Sequence, residues 1–437
     1  MNFGFQVGGL DFPPLEYLFD DIFKIERGSF FVKMSTQNLK IAFIGNMNNN
    51  HFAMARYLRD EGYDAELLLT NDLLAHFHPS CDTYDIEYMK YTKNVRWGSV
   101  NGFLGVSKQD ITKAINSYDI IIGTGLVPAF MHKVGRNLDI FIPYGDDIET
   151  LPRFRISAPH RQHHTITSAY AQRKGITKTS VIHTSKMIFA FEKIINSLAP
   201  RSERWLTPVP IVYAPQYESE SLENLSQKTH WGHIFLEIRE KSELMVMSAS
   251  RLNWTRRNDP NQKGTDNLIK GYKIFCDQNK TINSTLVLVE YGSDIEETKK
   301  LIHNLGLDQK VYMLPKMFRK DIMVGMMHSD ILCGQFSQFS WILNGVITEA
   351  LVSGKPLLTY RKDDDYPEYS DLFPVYNARL PEEIALRLNE YLLKPSMGVE
   401  MGQAGRQWYQ TEVVEKFFNT YTQYFDRICK KISWHER

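Results

Sequence analysis

The chain has 437 residues, which is long for one domain and comfortable for two. Hydrophobic residues make up 43% of it and charged residues 23%, the composition of an ordinary globular protein. Lys and Arg together number 51, as do Asp and Glu, so the overall charge offers no attraction to DNA or RNA. We therefore expect no nucleic-acid partner.

The cysteines and the apolar stretches bear on the compartment. The four cysteines form no CxxC pair, which favours thiols over disulfides or a zinc site. The first 38 residues contain acidic side chains and no long apolar run, unlike a signal peptide. Nowhere does the sequence approach the ~20 consecutive apolar residues of a membrane-spanning helix. These features predict a cytoplasmic protein, with peripheral attachment to the inner face of a membrane left open.

Short apolar runs alternate with helical patterns from Lys40 onwards. The runs lack the apolar-polar alternation of half-exposed strands, which predicts parallel sheets covered on both faces. A polar segment, residues 215–240, interrupts the series. The runs before it are 40–45, 64–69, 119–123, 139–142, 180–183 and 210–213, and those after it are 244–248, 285–290, 310–314, 330–333 and 356–360.

Two successive β/α series predict two Rossmann-like, doubly wound domains that face each other across a cleft. The last segment has apolar residues at helical spacing and is predicted to be an amphipathic helix. The predicted divisions are an N-terminal extension at 1–38, a first domain at 39–215, a linker at 216–243, a second domain at 244–405 and a C-terminal helix at 406–437.

Two cations stand where a phosphate-binding site is expected in the second domain. Arg251 follows the first strand of that domain, and Lys263 precedes the next helix. A cation pair at a strand end and a helix N-terminus suits a diphosphate, because the helix adds oriented N–H groups and partial positive charge. The alternative is a pair of solvated surface cations.

Glu349 lies near the start of a short predicted helix that opens with Asn344 and Gly345. A carboxylate in the first turns of a helix beside a cleft can accept hydrogen bonds from two ribose hydroxyls, as in dinucleotide sites. Gly345 would allow close approach of the backbone to a ligand. The alternative is a Glu that only interacts with the helix dipole.

The strand ends of the first domain carry further candidates. The loop after the first strand begins with Gly45 and Asn46 and is rich in Asn, which tolerates left-handed backbone. Asp146 and Asp147 follow a later strand and are candidates for contact with a sugar or an acceptor. For both loops an ordinary turn is the alternative.

Residues 150–191 contain seven Lys or Arg and no Asp or Glu. Such a segment suits a phosphate-bearing acceptor or an anionic membrane surface, and the alternative is a solvated basic face. The candidates for this basic patch are Arg153, Arg155, Arg161, Arg173, Lys174 and Lys178.

The pattern resembles glycosyltransferase family 4 and other enzymes with the GT-B fold. The resemblance rests on Ser250-Arg251-Leu252, Lys263-Gly264 and the residues TEALVSGKP at 348–356. It implies a retaining hexosyltransferase in which Arg251 and Lys263 hold the donor diphosphate, Glu349 holds the ribose and the last helix crosses back to the first domain. It also implies a UDP- or GDP-linked sugar as donor, a glycan or lipid-linked acceptor, and no metal.

The sequence departs from this family at Trp341, where the family usually has a glutamate beside the donor sugar. The preceding loop carries Gln335 and Gln338, whose amides are candidates for sugar hydroxyls. Trp341 either stacks on a sugar face or belongs to the core. The departure leaves two alternatives open: a nucleotide-sugar epimerase with this fold, and a non-catalytic nucleotide-sugar-binding subunit.

Overall fold

The computed structural model describes residues 39–154, 162–184, 189–339, 342–367, 369 and 371–435, with the backbone alone described at 162–164, 189–191 and 431–435. Trp341 and two members of the basic patch, Arg155 and Arg161, lie outside the described residues. Two parallel sheets organise the chain, one in each predicted domain.

The first sheet has seven strands in the order β3-β2-β1-β4-β5-β6-β7, all paired in parallel. Its strands are β1 (Lys40–Ile44), β2 (Asp64–Leu69), β3 (Thr92–Asn94), β4 (Ile120–Gly123), β5 (Ile140–Phe141), β6 (Val181–His183) and β7 (Glu203–Trp205). Its helices are α1 (Asn50–Asp60), α2 (Lys108–Ile115), α3 (Val127–Val134), α4 (Asp146–Glu149), α5 (Gln162–Thr177) and α6 (Phe189–Leu198).

The second sheet has six strands in the order β10-β9-β8-β11-β12-β13, again all parallel. Its strands are β8 (Leu244–Ser248), β9 (Ser284–Glu290), β10 (Val311–Pro315), β11 (Ile331–Cys333), β12 (Leu357–Thr359) and β13 (Tyr376–Asn377). Its helices are α10 (Thr265–Gln278), α11 (Ile295–Asn304), α12 (Arg319–His328), α13 (Gly345–Ser353), α14 (Pro381–Leu393) and α15 (Pro395–Tyr409).

Both faces of each sheet are covered. In β1, Ile41 and Phe43 belong to one hydrophobic core, whereas Ala42 and Ile44 belong to another on the opposite face. Successive side chains of a strand point to opposite faces, so an uninterrupted apolar run requires a core on each side. The prediction of doubly wound parallel sheets is confirmed.

The segment between the two sheets differs from its sequence interpretation. The polar stretch 215–240 forms three helices, α7 (Pro215–Glu218), α8 (Leu222–Lys228) and α9 (Gly232–Glu240), rather than irregular chain. The side chain of Ser221 caps α8, and Phe235 and Ile238 are buried on α9. Helix packing and capping therefore outweighed the polar composition.

Residues 210–213, predicted as a strand, pair with no strand of the sheet, whose last strand is β7. The carbonyl of Val212 instead accepts hydrogen bonds from the hydroxyls of Tyr57 and Tyr409, at 3.4 and 2.7 Å. This run is apolar because it is buried beside the linker, where side chains replace the hydrogen bonds of a sheet.

The C-terminal segment crosses back to the first domain, as predicted. A π-helix (Gln410–Glu415) joins α15 to α16 (Lys416–His435). In α16 the Tyr421 hydroxyl lies 3.0 Å from His183 Nδ1, and Arg427 pairs with Glu203 on β7. Among the described residues, the structure has no helix that is both long and apolar enough to cross a membrane.

Candidate functional site

A cleft of about 570 Å³ lies between the two domains, and residues of both line it. The first domain contributes the loop after β1, including Asn48, and Tyr144 after β5. The second domain contributes Arg251, Lys263 and Glu349. The carboxyl ends of parallel strands are where ligands bind in folds of this kind, so the topology brings the predicted donor residues into one cleft.

Lys263 is held in place by the loop that follows β11. Its Nζ donates a 3.0 Å hydrogen bond to Oε1 of Gln335, and its carbonyl accepts from the Phe336 N–H at 2.7 Å. The next residue, Gly264, has a φ of 68°, and a Cβ there would lie 2.6 Å from the Phe336 carbonyl carbon. Glycine is therefore required for the two loops to meet.

The electrostatic state of Lys263 suits an anionic ligand. Burial and, to a smaller extent, the positive charge of Arg251 together lower the pKa of Lys263 to about 8. Arg251 is exposed and, within the part of the chain that the structure describes, makes no salt bridge. Two neighbouring cations without a carboxylate between them favour a bound anion, which would relieve their repulsion.

Glu349, in α13, also lines the cleft and is 6% exposed. Its Oε1 accepts a 2.8 Å hydrogen bond from Nε of Arg319. Burial raises the pKa of Glu349, whereas the guanidinium of Arg319 opposes that rise. The ion pair occupies one carboxylate oxygen in a group with about four lone-pair positions, so acceptor capacity remains for a ribose.

The other predicted donor-side residues have separate roles. The Asn344 side chain caps α13 by accepting from the Ile347 N–H at 3.1 Å, and Asn344 and Gly345 both line the cleft. Gln335 is fully buried, with Nε2 lacking a partner among the described residues, and Gln338 is exposed. Neither glutamine is among the residues that line the cleft.

The loop after β1 has the left-handed backbone that its composition predicts. Asn48 and Asn49 have φ values of 53° and 60°, and Gly45 has a φ of 83°. The Asn46 side chain is buried, accepts from the Phe52 N–H at 2.9 Å and donates to Asn49. Asn46 thus holds the loop in shape, while Asn48 reaches the cleft.

His51 lies in the first turn of α1, directly after this loop, and is fully buried. Its Nδ1 lies 2.8 Å from the Gly45 carbonyl oxygen, and Nε2 has no partner among the described residues. Burial lowers the pKa of His51 to about 4, so the ring is neutral near pH 7. A neutral ring bound to the loop backbone supports the loop and supplies no charge to the cleft.

Asp147 is buried, and its carboxylate binds the turns after β4 and β5 together. It accepts from the backbone N–H groups of Gly125, Tyr144 and Gly145 at 3.0, 3.0 and 3.1 Å. Burial nevertheless raises its pKa to about 7. Asp146 is exposed, and neither aspartate lines the cleft. For Asp147 this geometry favours the turn-capping alternative.

Asp147→Ala is accordingly expected to lower the free energy of unfolding by about 3 kcal/mol, because three partly buried backbone N–H groups lose their acceptor. Asp146→Ala is the matched control and is expected to change it by less than about 0.5 kcal/mol. Urea unfolding of both variants measures the difference. Equal stabilities would contradict the role assigned to Asp147.

The described members of the basic patch, Arg153, Arg173, Lys174 and Lys178, are exposed and do not line the cleft. Apolar side chains lie among them. Phe154, Ile166 and Tyr170 are 58%, 45% and 50% exposed, with Arg173 over the ring of Phe154. Exposed aromatic and aliphatic groups between cations are more typical of a membrane-facing surface than of a purely solvated one.

Arg319 is the cleft residue that the sequence interpretation missed. It is the first residue of α12 and is 9% exposed. Its guanidinium contacts Glu349 in its own domain and Asn48 in the other. A cation at a helix N-terminus opposes the helix dipole, and that position was the available signal.

Comparisons with known proteins identify the architecture. No protein-family model matches the sequence, and no curated protein matches it either. Solved structures do match over most of the chain. HepE from Anabaena in complex with UDP superposes with a TM-score of 0.57 at 16% identity, over 89% of this chain and 100% of that one.

Two further solved structures match over a similar share of the chain. Sucrose-phosphate synthase from Thermosynechococcus elongatus gives a TM-score of 0.52 at 12% identity, over 90% of this chain and 100% of that one. A UDP-forming α,α-trehalose-phosphate synthase from Burkholderia xenovorans gives 0.54 at 11% identity, over 91% and 100%. The chain therefore has the GT-B fold.

Proposed function

We propose that this protein is a glycosyltransferase that takes its sugar from a nucleotide-sugar donor bound in the second domain. The observation that carries the proposal is the convergence of Arg251, Lys263 and Glu349 in one interdomain cleft. Two unneutralised cations suit a diphosphate, and a buried carboxylate suits the ribose hydroxyls. The fold supports the proposal, because the same architecture is seen in the sucrose- and trehalose-phosphate synthases.

Within this proposal the donor nucleotide is uridine-linked. The Anabaena protein HepE was crystallised with UDP and with UDP-glucose, at 16% and 17% identity to this chain. A binding experiment with UDP and GDP tests the base directly. Tighter binding of UDP supports the uridine assignment. Tighter binding of GDP would show that the donor base is guanine and would leave the diphosphate site unchanged.

The proposed chemistry is stabilisation of a departing nucleoside diphosphate. Arg251 and Lys263 neutralise charge that develops on the leaving group, and they do so in a partly buried site where charge interactions are stronger than in water. Glu349 anchors the ribose, so binding energy far from the reacting bond helps to orient it. The first domain covers the cleft and limits hydrolysis of the donor. Retention of configuration is part of the proposal through the resemblance to family 4.

A second and smaller pocket, of about 70 Å³, opens at the carboxyl edge of the first sheet. Thr70, Asp72, Thr124 and Tyr144 supply polar groups to it, and Tyr144 also lines the interdomain cleft. Hydroxyl and carboxylate groups beside the donor cleft suit the hydroxyls of an acceptor sugar, free or lipid-linked. We assign the reacting end of the acceptor to this pocket, with the rest of the acceptor outside it.

Lys263 gives the proposed donor site a pH dependence. Its pKa in the free protein is about 8, lowered by burial, and a bound diphosphate would raise it again. Binding therefore takes up a proton above pH 8, so UDP affinity is expected to fall roughly eightfold between about pH 7.5 and pH 9. Calorimetric titrations across this range measure the effect. Lys263→Arg, which stays protonated, is expected to flatten the profile, and an unchanged slope would contradict the assignment.

We further propose that the basic patch binds an anionic membrane. Reversing two of its charges, Arg173→Glu with Lys174→Glu, is expected to weaken binding to phosphatidylglycerol vesicles at least tenfold, since each cation contributes roughly 1 kcal/mol at such a surface. Lys280→Glu, at an exposed site of the second domain, is the control and should bind as the unaltered protein does. Equal vesicle binding by both variants would show that the basic patch does not contact the membrane and is a solvated face.

A further inference from the structure

Arg319 occupies a position that its own helix does not explain. It is a buried cation at the first residue of α12, where the partial positive charge of the helix opposes it. Burial of a guanidinium is unfavourable unless charged and polar partners surround it. The identity of those partners therefore indicates what the side chain is for.

The partners come from both domains. Nε donates to Glu349 Oε1 at 2.8 Å within the second domain. Nη2 donates to Asn48 Oδ1 at 2.8 Å, and Nη1 donates to the Asn48 carbonyl oxygen at 3.1 Å, both in the first domain. Nη1 also donates to the Ile211 carbonyl oxygen at 2.8 Å and lies 3.5 Å from Asp82 Oδ1. We call Arg319, Glu349, Asn48, Ile211 and Asp82 the Arg319 cluster.

The cluster places two buried carboxylates around one guanidinium. Asp82 and Glu349 are 1% and 6% exposed, and each is close enough to Arg319 to form an ion pair. Without the guanidinium, both carboxylates would lose the charge that compensates for their burial. Arg319 therefore opposes the rise in the pKa of Glu349 that burial causes, and it holds one oxygen of that carboxylate at the edge of the cleft.

The cluster also fixes the loop of the first domain. Asn48 has a left-handed backbone, which is uncommon outside glycine, and two of its oxygens accept from Arg319. A Cβ on Gly345 would lie 3.7 Å from the side-chain nitrogen Nδ2 of Asn48 and 4.0 Å from Glu349 Oε1. The Asn48 side chain thus sits against the start of α13, beside the carboxylate that faces the ribose.

We propose that Arg319 is a positioning residue that orients Glu349 for the nucleotide and, through Asn48, holds the first domain closed over the donor cleft. The positioning half of this inference rests on the proposed function, whereas the closure half does not. One guanidinium bonded to both domains makes the geometry of the ribose site depend on the interdomain arrangement.

Two measurements on Arg319→Gln test the two halves. The nucleotide-free variant is expected to have a larger radius of gyration in small-angle X-ray scattering, with an unchanged circular dichroism spectrum. Its affinity for UDP is expected to fall at least tenfold. A variant that keeps both the radius of gyration and the UDP affinity of the unaltered protein would overturn the proposal.

Lys320→Gln is the matched control, because Lys320 is the next residue of α12 and its Nζ contacts the Thr83 carbonyl oxygen of the first domain at 3.3 Å without lining the cleft. It is expected to change UDP affinity less than twofold. An equal loss of UDP affinity in both variants would show that Arg319 is one interdomain contact among others. That result would refute its positioning role.

Asn48→Gly keeps the closure half testable if Arg319→Gln does not fold. Glycine accepts the left-handed backbone of Asn48 and removes only the side-chain bond to Arg319. The variant is expected to be more expanded than the unaltered protein, and equal radii of gyration would refute the closure role. Failure of the unaltered protein to bind UDP would refute the proposed function and the positioning half, while the scattering comparison still decides closure.

Discussion

Arg251→Ala and Lys263→Ala are each expected to weaken UDP binding by about 1.5–3 kcal/mol, or roughly ten- to a hundredfold, because each removes a charge-assisted hydrogen bond to the diphosphate. Lys263 is the more buried of the two and already has a hydrogen-bond partner, Gln335, so its removal also leaves that amide oxygen unpaired. Isothermal titration calorimetry with UDP measures both losses.

The control for this pair is Arg257→Ala, which removes an exposed cation from the same loop at a position that does not line the cleft. It is expected to bind UDP within about twofold of the unaltered protein, since exposed cations remote from a ligand contribute little. Uridine is a second control, because it lacks phosphates and should bind all three variants alike. Undiminished UDP affinity in both cleft variants would rule out the diphosphate site.

Glu349→Gln is expected to reduce discrimination between UDP and 2′,3′-dideoxy-UDP. The unaltered protein should prefer UDP by about 1.5–3 kcal/mol, the range for hydrogen bonds to a charged acceptor, and the variant should retain less than half of that preference. Glutamine keeps the shape of the side chain and loses its charge, so the comparison isolates the carboxylate. The measured quantity is the ratio of the affinities for UDP and for 2′,3′-dideoxy-UDP, taken for each protein separately.

A stability cost accompanies this variant. Glu349 is the Arg319 partner at 2.8 Å, and removal of one member of a buried ion pair costs about 3–5 kcal/mol when no other partner remains. Asp82 still faces Arg319, so a smaller loss is expected. An unchanged preference for UDP in a folded variant would refute the ribose assignment even if the stability had fallen.

Much of the fold could be predicted because buried parallel strands have a simple sequence pattern. The run 244–248 coincides with β8, and 64–69 coincides with β2. The short edge strands β3, β7 and β13 were missed, since Thr92–Asn94 is polar, Glu203–Trp205 contains two charged residues and Tyr376–Asn377 has only two residues. A strand at the edge of a sheet is only partly covered, so it need not be apolar.

Donor-site residues could be predicted where their position next to a strand end or a helix start indicated a role. Arg251, Lys263 and Glu349 each stand at a strand end or in the first turns of a helix, and the structure brings all three to one cleft. The interpretation of Gln335 as a sugar ligand stays a prediction. Its side-chain oxygen accepts a hydrogen bond from Lys263, across two loops that only the folded sheet brings together.

Arg319 could not be predicted because its partners are distant in sequence and lie in two domains. Asp82 and Asn48 precede it by 237 and 271 residues. No local pattern encodes such a contact, because Arg319 is flanked by charged residues such as Lys320 and Asp321. A cation at the start of a helix, where the helix dipole disfavours it, is unusual but does not identify its partners.

Analysis of the reaction products decides whether this protein transfers a sugar. The protein would be incubated with UDP-glucose and a panel of glycan and lipid-linked acceptors, and the products identified by mass spectrometry beside the Arg251→Ala, Lys263→Ala double variant. We expect release of UDP together with an acceptor that has gained one hexose, and neither product from the double variant. An isomerised nucleotide sugar with no transfer, or binding without turnover across UDP- and GDP-linked donors, would refute the proposed glycosyl transfer.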